Sequence, residues 1–262
     1  MPTTPSESLA HRLRHAFSAA GEVLGRLLLP QNCMLCGLAS ANAPVCAACT
    51  ADLPVPSALQ CPRCALPLQS NSIGMPIACP DCAHHTPAFD TAVAAWSYSF
   101  PVDALIQDFK YGHHLYLAGF FSQRLAQALK NRWEMQPGVE QPDLIIPMPL
   151  HANRLKSRGF NQAAEIARHL SSYLEIPWSS NSLIRIYDTA PQAGLHRHER
   201  WSNLRGAFAC PNPLPDTKIL LIDDVLTTGA SLSACAEALR HAGARRVDVA
   251  VIARTPEPGR LN

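Results

Sequence analysis

At 262 residues and 47% apolar, the chain is long enough for one large domain or two smaller ones with a real core, and it carries no apolar run that reads as a membrane span. Ten cysteines, eight of them in four C-x-x-C pairs, argue for metal rather than a secreted disulfide scaffold, because a chain of this size needs no staples; metal-bound thiols imply a reducing compartment, the cytoplasm. The formal charge is +2, and eight thiolates on two divalent ions would take it to −2, leaving the cysteine-rich part little long-range attraction for nucleic-acid phosphates.

Leu9 to Leu29 is apolar but broken by His11, Arg12, Arg14, His15, Glu22 and Arg26, too interrupted for a signal peptide's central region. The pattern predicts an amphipathic leader helix over residues 1–29. In the cysteine-rich segment, residues 30–89, Cys33/Cys36 and Cys46/Cys49 form one group of pairs, and Cys61/Cys64 and Cys79/Cys82 another. Tight turns of this kind point two sulfurs at one ion, so the spacing predicts two tandem ribbons, each with four thiolates around a structural zinc. An interleaved arrangement, first pair with third, uses the same residues and stays open. His84 and His85 read as flanking polar residues, and Cys210 and Cys235 as isolated thiols. Arg63 is the one Lys or Arg between residues 30 and 90, against Asp52, Asp81 and Asp90, so the ribbons read as a scaffold or protein contact.

A domain boundary is expected near residue 90. Beyond it, Thr91 to Phe100 reads as a strand with Trp96, Tyr98 and Phe100 on one face, and helices follow over 102–111 and about 115–130. Lys110-Tyr111-Gly112 lies at their join, where a lysine is ordinarily a solvated helix end. Asp143 to Ile146 is a buried strand, and Pro147-Met148-Pro149-Leu150 closes it with a rigid turn that could set backbone donors beside a ligand. Arg154, Lys156 and Arg158 form a positive patch before a helix that runs from Phe160-Asn161-Gln162 to about Tyr173. Leu183 to Phe208 is polar, charged and long, the character of a lid. Residues 151–210 hold eight Arg or Lys against four acids, which concentrates positive charge beside the segment that follows.

That segment, Lys218 to Ser231, is the most informative in the chain. Ile219 to Ile222 suit a strand covered on both faces, and Ser231 can cap a helix carrying Leu232, Ala236 and Leu239. Between them Thr227, Thr228 and Gly229 have short side chains or none, so a phosphate can approach the backbone N–H groups at a helix start, while Asp223 and Asp224 face hydroxyls or a cation. A last strand, Val247 to Ile252, begins about thirty residues after Lys218, the length of a right-handed βαβ unit.

The run from Lys218 to Ser231 resembles the phosphoribosyl pyrophosphate (PRPP) signature of type I phosphoribosyltransferases. Together with the tandem C-x-x-C ribbon, Lys110-Tyr111-Gly112, Pro147-Met148-Pro149, Arg158-Gly159-Phe160-Asn161-Gln162, and Gln192 with Arg200 and Asn203, it makes nearly the whole chain similar to the ComF family, which includes the GntX-type proteins. The resemblance implies an α/β fold: a phosphoribosyltransferase-type parallel sheet flanked by helices over 90–262, behind an N-terminal double zinc ribbon. It further implies that Asp223 and Asp224 hold the ribose hydroxyls, Thr227, Thr228, Gly229, Ala230 and Ser231 wrap the 5-phosphate, Pro147, Met148, Pro149 and Leu150 form the pyrophosphate-side loop, and Arg185 to Asn203 form a mobile hood. The family is associated with natural competence and use of external DNA.

Three functions follow. The chain is a Mg-PRPP-binding protein of DNA uptake whose partner is single-stranded DNA or a helicase. Alternatively, it is an enzyme that displaces pyrophosphate with a nitrogen nucleophile, Asp224 helping to hold PRPP and Arg158 or Arg200 neutralising the leaving group. The third is a protein-interaction adaptor. Glutamine-dependent amination is disfavoured, since the chain begins Met1-Pro2 and has no N-terminal cysteine nucleophile.

Overall fold

The computed structural model describes residues 32–40, 42–68, 78–136, 138–187, 204 and 206–256. The expected leader helix and most of the expected hood, with Gln192, Arg200 and Asn203, lie outside them. The chain divides into two compact units, one ending at Leu53 and one beginning at Pro54.

In the first unit the amide of Gly37 donates to the carbonyl of Cys33 at 2.8 Å, the Cys33 amide donates to Leu38 at 2.8 Å, and helix α1 (Ala47–Ala51) follows Cys46. The second unit opens with the same design. Ala65 donates to Cys61 at 3.0 Å, Cys61 donates to Leu66 at 2.8 Å, and helix α2 (Pro80–His84) follows Cys79. Each knuckle needs one left-handed residue after its second cysteine: Gly37 at φ 73° in the first, Ala65 at φ 55° in the second.

The sheet of the second unit is built from β1 (Thr91–Ser97), β2 (Leu144–Pro147), β5 (Lys218–Leu226) and β6 (Arg246–Arg254), all parallel, in the order β1-β6-β5-β2. The buried β5 run Ile219 to Ile222 fits a strand covered on both faces. On one face, Ile219 and Leu221 join Leu232, Ala236 and Leu239 of helix α7 (Ala230–His241) in a core that also holds Cys61, Cys64, Cys79, Cys82 and Phe89. Against the other face lie helices α4 (Leu117–Met135) and α6 (Gln162–Leu174), packed on each other and pinned where the buried Ser122 hydroxyl donates to the Ile166 carbonyl at 3.1 Å. Helix α3 (Val102–Tyr111) buries Leu105, Ile106 and Phe109, the positions its spacing marked.

Several expectations are corrected. The first strand ends at Ser97, so Trp96 is buried in the sheet while Phe100, beyond it, is 80% exposed. The basic patch is helical: α5 (Ala152–Arg158) is capped by His151 and stopped by Gly159 at φ 82°. Helix α7 starts one residue before the expected cap, because Gly229 at φ 79° turns the chain and occupies the N-cap itself; Ser231 sits in the first turn. Strand β5 carries on through both aspartates to Leu226. The roots of the polar stretch are paired as a small antiparallel ribbon, β3 (Ile184–Arg185) with β4 (Phe208–Ala209). Among the described residues, no helix is long and apolar enough to cross a membrane.

Candidate ligand site and metal centres

The eight clustered cysteines form two groups, Cys33, Cys36, Cys46 and Cys49, then Cys61, Cys64, Cys79 and Cys82; within each, the sulfurs all lie within 4.8 Å of one another. Pairing is therefore sequential and not interleaved. Zinc with Zn–S bonds of about 2.3 Å sets tetrahedral sulfurs about 3.8 Å apart. Cys36 and Cys46 lie 3.8 Å apart, and Cys64 and Cys79 3.6 Å apart, so the donor sets fit that ion. The two groups repeat each other in detail, since the Cys46 amide donates to Cys33 Sγ at 3.3 Å and the Cys79 amide to Cys61 Sγ at 3.3 Å. Hydrogen bonds from Cys64 and Cys82 hold the Cys61 thiol well below its ordinary range, while Cys61 and Cys64 push Cys82 up. Four such thiols ionise together only when a cation draws them, which is the service a structural zinc performs. His84 and His85 belong to neither group.

At the carboxyl end of the sheet, β2 stops at Pro147 opposite Ile222 while β5 continues to Leu226. Asp223 and Asp224 lie on this overhang, and successive strand residues point to opposite faces. Asp223 shares the parity of Leu221, toward α7. Asp224 shares that of Ile222, toward α3, where its carboxylate meets Lys110 Nζ at 2.8 Å with side chains 14% and 19% exposed. Burial works against the Lys110 charge, but the charge and hydrogen bond of Asp224 outweigh it and raise the ammonium's pKa. Burial, joined by the charge of Asp224, pushes the Asp223 carboxyl up to about 7. The Asp223 carboxyl is therefore poised between its protonated and ionised forms near neutral pH.

Arg158 stands close enough for its charge to be felt by both Lys110 and Asp223. Its guanidinium donates to Gln162 Oε1 at 2.8 Å and to the Tyr111 hydroxyl at 3.2 Å, and lies over the Tyr111 ring at 5.1 Å. The Lys110-Tyr111 and Arg158-to-Gln162 motifs thus meet in space, with Phe109 against Phe160 beneath them at 5.8 Å. Asn161 caps α6 by accepting from the amides of Ala163 and Ala164, and its Nδ2 donates to the Met148 carbonyl at 3.0 Å. The Met148 amide donates to Ile222 at 2.8 Å. Because proline has no N–H, Pro147, Met148 and Pro149 offer a ligand no amide donor; what they supply is a rigid wall.

In the turn after β5, Thr227 is exposed, Thr228 is half-buried with its Oγ1 accepting from the Ala230 amide at 3.4 Å, and Gly229 is buried with no side-chain cap on the helix. A Cβ on Gly229 would touch Phe89 and Leu226 at 3.5 to 3.7 Å, and its φ of 79° disfavours any other residue. The structure thus assembles Arg158, Asp223, Asp224 and, across the Asp224 ion pair, Lys110. Lys110 is the addition: its sequence position gave a helix end and no charge partner. Arg200 lies outside the described residues.

Comparison with known proteins fits both halves. The double zinc ribbon domain matches residues 24–86, and the phosphoribosyl transferase domain matches residues 156–261. Competence protein F of Haemophilus influenzae is 32% identical over 179 residues, covering 67% of this chain and 78% of its own length. DNA utilization protein YhgH of Escherichia coli strain K12 is 30% identical over 231 residues, covering 87% of this chain and 99% of its own. Among solved structures, a purine phosphoribosyltransferase from Pyrococcus horikoshii is 19% identical and covers 54% of this chain and 79% of its own, with a TM-score of 0.35.

Proposed function

Because the chain belongs to the ComF family, whose members join a double zinc ribbon to a phosphoribosyltransferase domain, we propose that it binds Mg-PRPP in the service of competence and the use of external DNA, in the cytoplasm. The observation that carries this reading is the pair Asp223 and Asp224 where β5 runs on past β2, two residues before a short-side-chain turn into α7. On this reading Asp223 and Asp224 accept from the ribose hydroxyls, and the backbone from Thr227 to Ser231 receives the 5-phosphate at the positive end of a twelve-residue helix. Pro147, Met148 and Pro149 wall the diphosphate side, and Arg158, with Arg200, balances its charge. Magnesium brought in with the ligand would screen the repulsion within its diphosphate.

Lys110 gives the pocket a resting state. Without ligand its ammonium neutralises Asp224, and a ribose that takes over Asp224 releases the lysine toward phosphate oxygens. Titration calorimetry of Mg-PRPP into zinc-loaded protein tests the reading. Saturable binding of one ligand per chain, weakened at least about tenfold in Asp224→Ala, is expected, as a lost charge-assisted contact implies; no heat from well-folded wild type would overturn it.

The intact charge set of Arg158, Asp223 and Asp224 also favours a second reading, transfer of the phosphoribosyl group to a nitrogen acceptor. Catalysis would need little covalent help, since orientation and neutralisation of the leaving pyrophosphate supply most of it. Pyrophosphate release in the presence of nucleobases distinguishes it from binding alone. Single-stranded DNA or a DNA-uptake helicase is the partner the first reading proposes, and binding to DNA through the basic stretch after Leu183 should weaken with salt by a slope of about −0.7 per phosphate contact.

A further inference from the structure

Arg254 ends β6 and is 6% exposed, the one charged side chain that is buried among the described residues. A buried guanidinium must spend its five donors inside the protein. Here they divide between two places far apart in the chain. Nε donates to the Cys64 carbonyl at 2.9 Å, and Nη2 reaches Cys64 Sγ at 3.9 Å. Nη1 shares its two hydrogens among the carbonyls of Leu226 at 3.0 Å and Thr227 at 2.7 Å and the Thr255 carbonyl at 2.8 Å and hydroxyl at 3.1 Å. Among the described residues, no carboxylate pairs with it. The anionic group within its reach is the second thiolate cluster, which stays net negative with a divalent ion bound.

The contacts with Leu226 and Thr227 have a directional effect. In a trans peptide the C=O and the following N–H point opposite ways. Fixing the carbonyls of residues 226 and 227 on Arg254 therefore aims the amides of Thr227 and Thr228 away from the guanidinium. Two further links bind the same parts together. The Ala88 amide, just after the cluster, donates to the buried Ser233 hydroxyl of α7 at 2.9 Å, and Phe89 lies against the position a Gly229 side chain would take.

We infer that Arg254 is a positioning residue which couples the second four-cysteine metal centre to the turn Leu226 to Gly229, so that metal there sets the turn's backbone and occupation of the turn in return holds the metal. The ligand half of this coupling rests on the proposed Mg-PRPP site; the metal half does not. Coupling of this kind is reciprocal.

The test uses the full chain, zinc-loaded. Hydrogen exchange is followed on peptides covering residues 226–230, with peptides covering 219–222 as the fold control. In wild type, stripping zinc with a chelator is expected to speed exchange of the turn at least tenfold while the strand stays protected. Arg254→Met is expected to show the fast turn with zinc still bound. Should Arg254→Met fail to fold, Arg254→Lys, which keeps the charge but loses the guanidinium fork, decides alone. Unchanged exchange of the turn in the folded variant overturns the inference, whether or not PRPP binds.

A second measurement reads the ligand half. Mg-PRPP is expected to slow release of one of two zinc ions to a chromogenic chelator at least threefold in wild type and not in Arg254→Lys. Equal slowing in both would remove Arg254 from the coupling. No PRPP binding to wild type would remove the ligand and leave the exchange result standing.

Discussion

Lys110 and Asp224 hold each other at 2.8 Å with little solvent around them, so removing one strands the other. Full burial would make such a loss cost about 3–5 kcal/mol, and the residual exposure here lowers it to roughly 1–3 kcal/mol. Urea unfolding should show Lys110→Met and Asp224→Asn each less stable, with the double variant better than the sum of the two; strict additivity would mean the pair is not coupled. Asp223 gives a pH signature. Its folded pKa, up to about 7, lies above the unfolded value, so its contribution to stability is fully present below about pH 4 and is lost as pH rises through 7. Between pH 5 and 8 the melting temperature of ligand-free wild type should therefore fall relative to that of Asp223→Asn, and parallel curves would count against the assignment. The two acids could be read from the sequence because they interrupt an apolar run. Lys110 could not be assigned a partner that way, since Asp224 lies 114 positions on and only the packing of α3 against the end of β5 brings them together.

Among elements, the two cysteine knuckles are one design used twice, with a left-handed residue after each second cysteine. A Cβ at Gly37 would meet nothing within 4 Å, so Gly37→Ala isolates backbone strain from packing. It should cost roughly 1–2 kcal/mol, seen as about a tenfold weaker hold on zinc in a chelator competition. At the corresponding place Ala65 accepts that strain and recovers part of it by burying its methyl group. Asn161 serves two elements, capping α6 and tethering the carbonyl of Met148. Asn161→Ala should cost about 1 kcal/mol from the cap alone, and Asn161→Asp, which keeps the cap but loses the Nδ2 donor, should recover most of the stability. Strands and long helices were legible because their apolar periodicity is strong. The α5 turn was not, because its seven residues present a charge pattern and bury no side chain. The reach of β5 was hidden too, since acids ordinarily mark the end of a strand and here they stand where β2 has already stopped while β6 still pairs on the other edge.

For the whole molecule, elemental analysis should find two zinc ions per chain. Cys64→Ser should lose one of them and lower the melting temperature of the sheet unit by about 5 °C or more, since the second cluster shares its core with Leu226 and Ala230. The C-x-x-C spacing made both metal centres legible, and the order of motifs made the sheet domain legible. The link between them was not, because Arg254 closes an apolar strand and nothing local says that its head turns back to Cys64. That link spans 190 positions, and at 5–20 residues per second a ribosome needs roughly 10–40 s to travel it. All four cysteines of the second centre are made by residue 82 and can take zinc early, whereas the Cys64 carbonyl and the turn after β5 gain their shared anchor only when nearly the last strand emerges. A nascent chain stopped short of Arg254 should accordingly hold both ions while the turn is still unanchored.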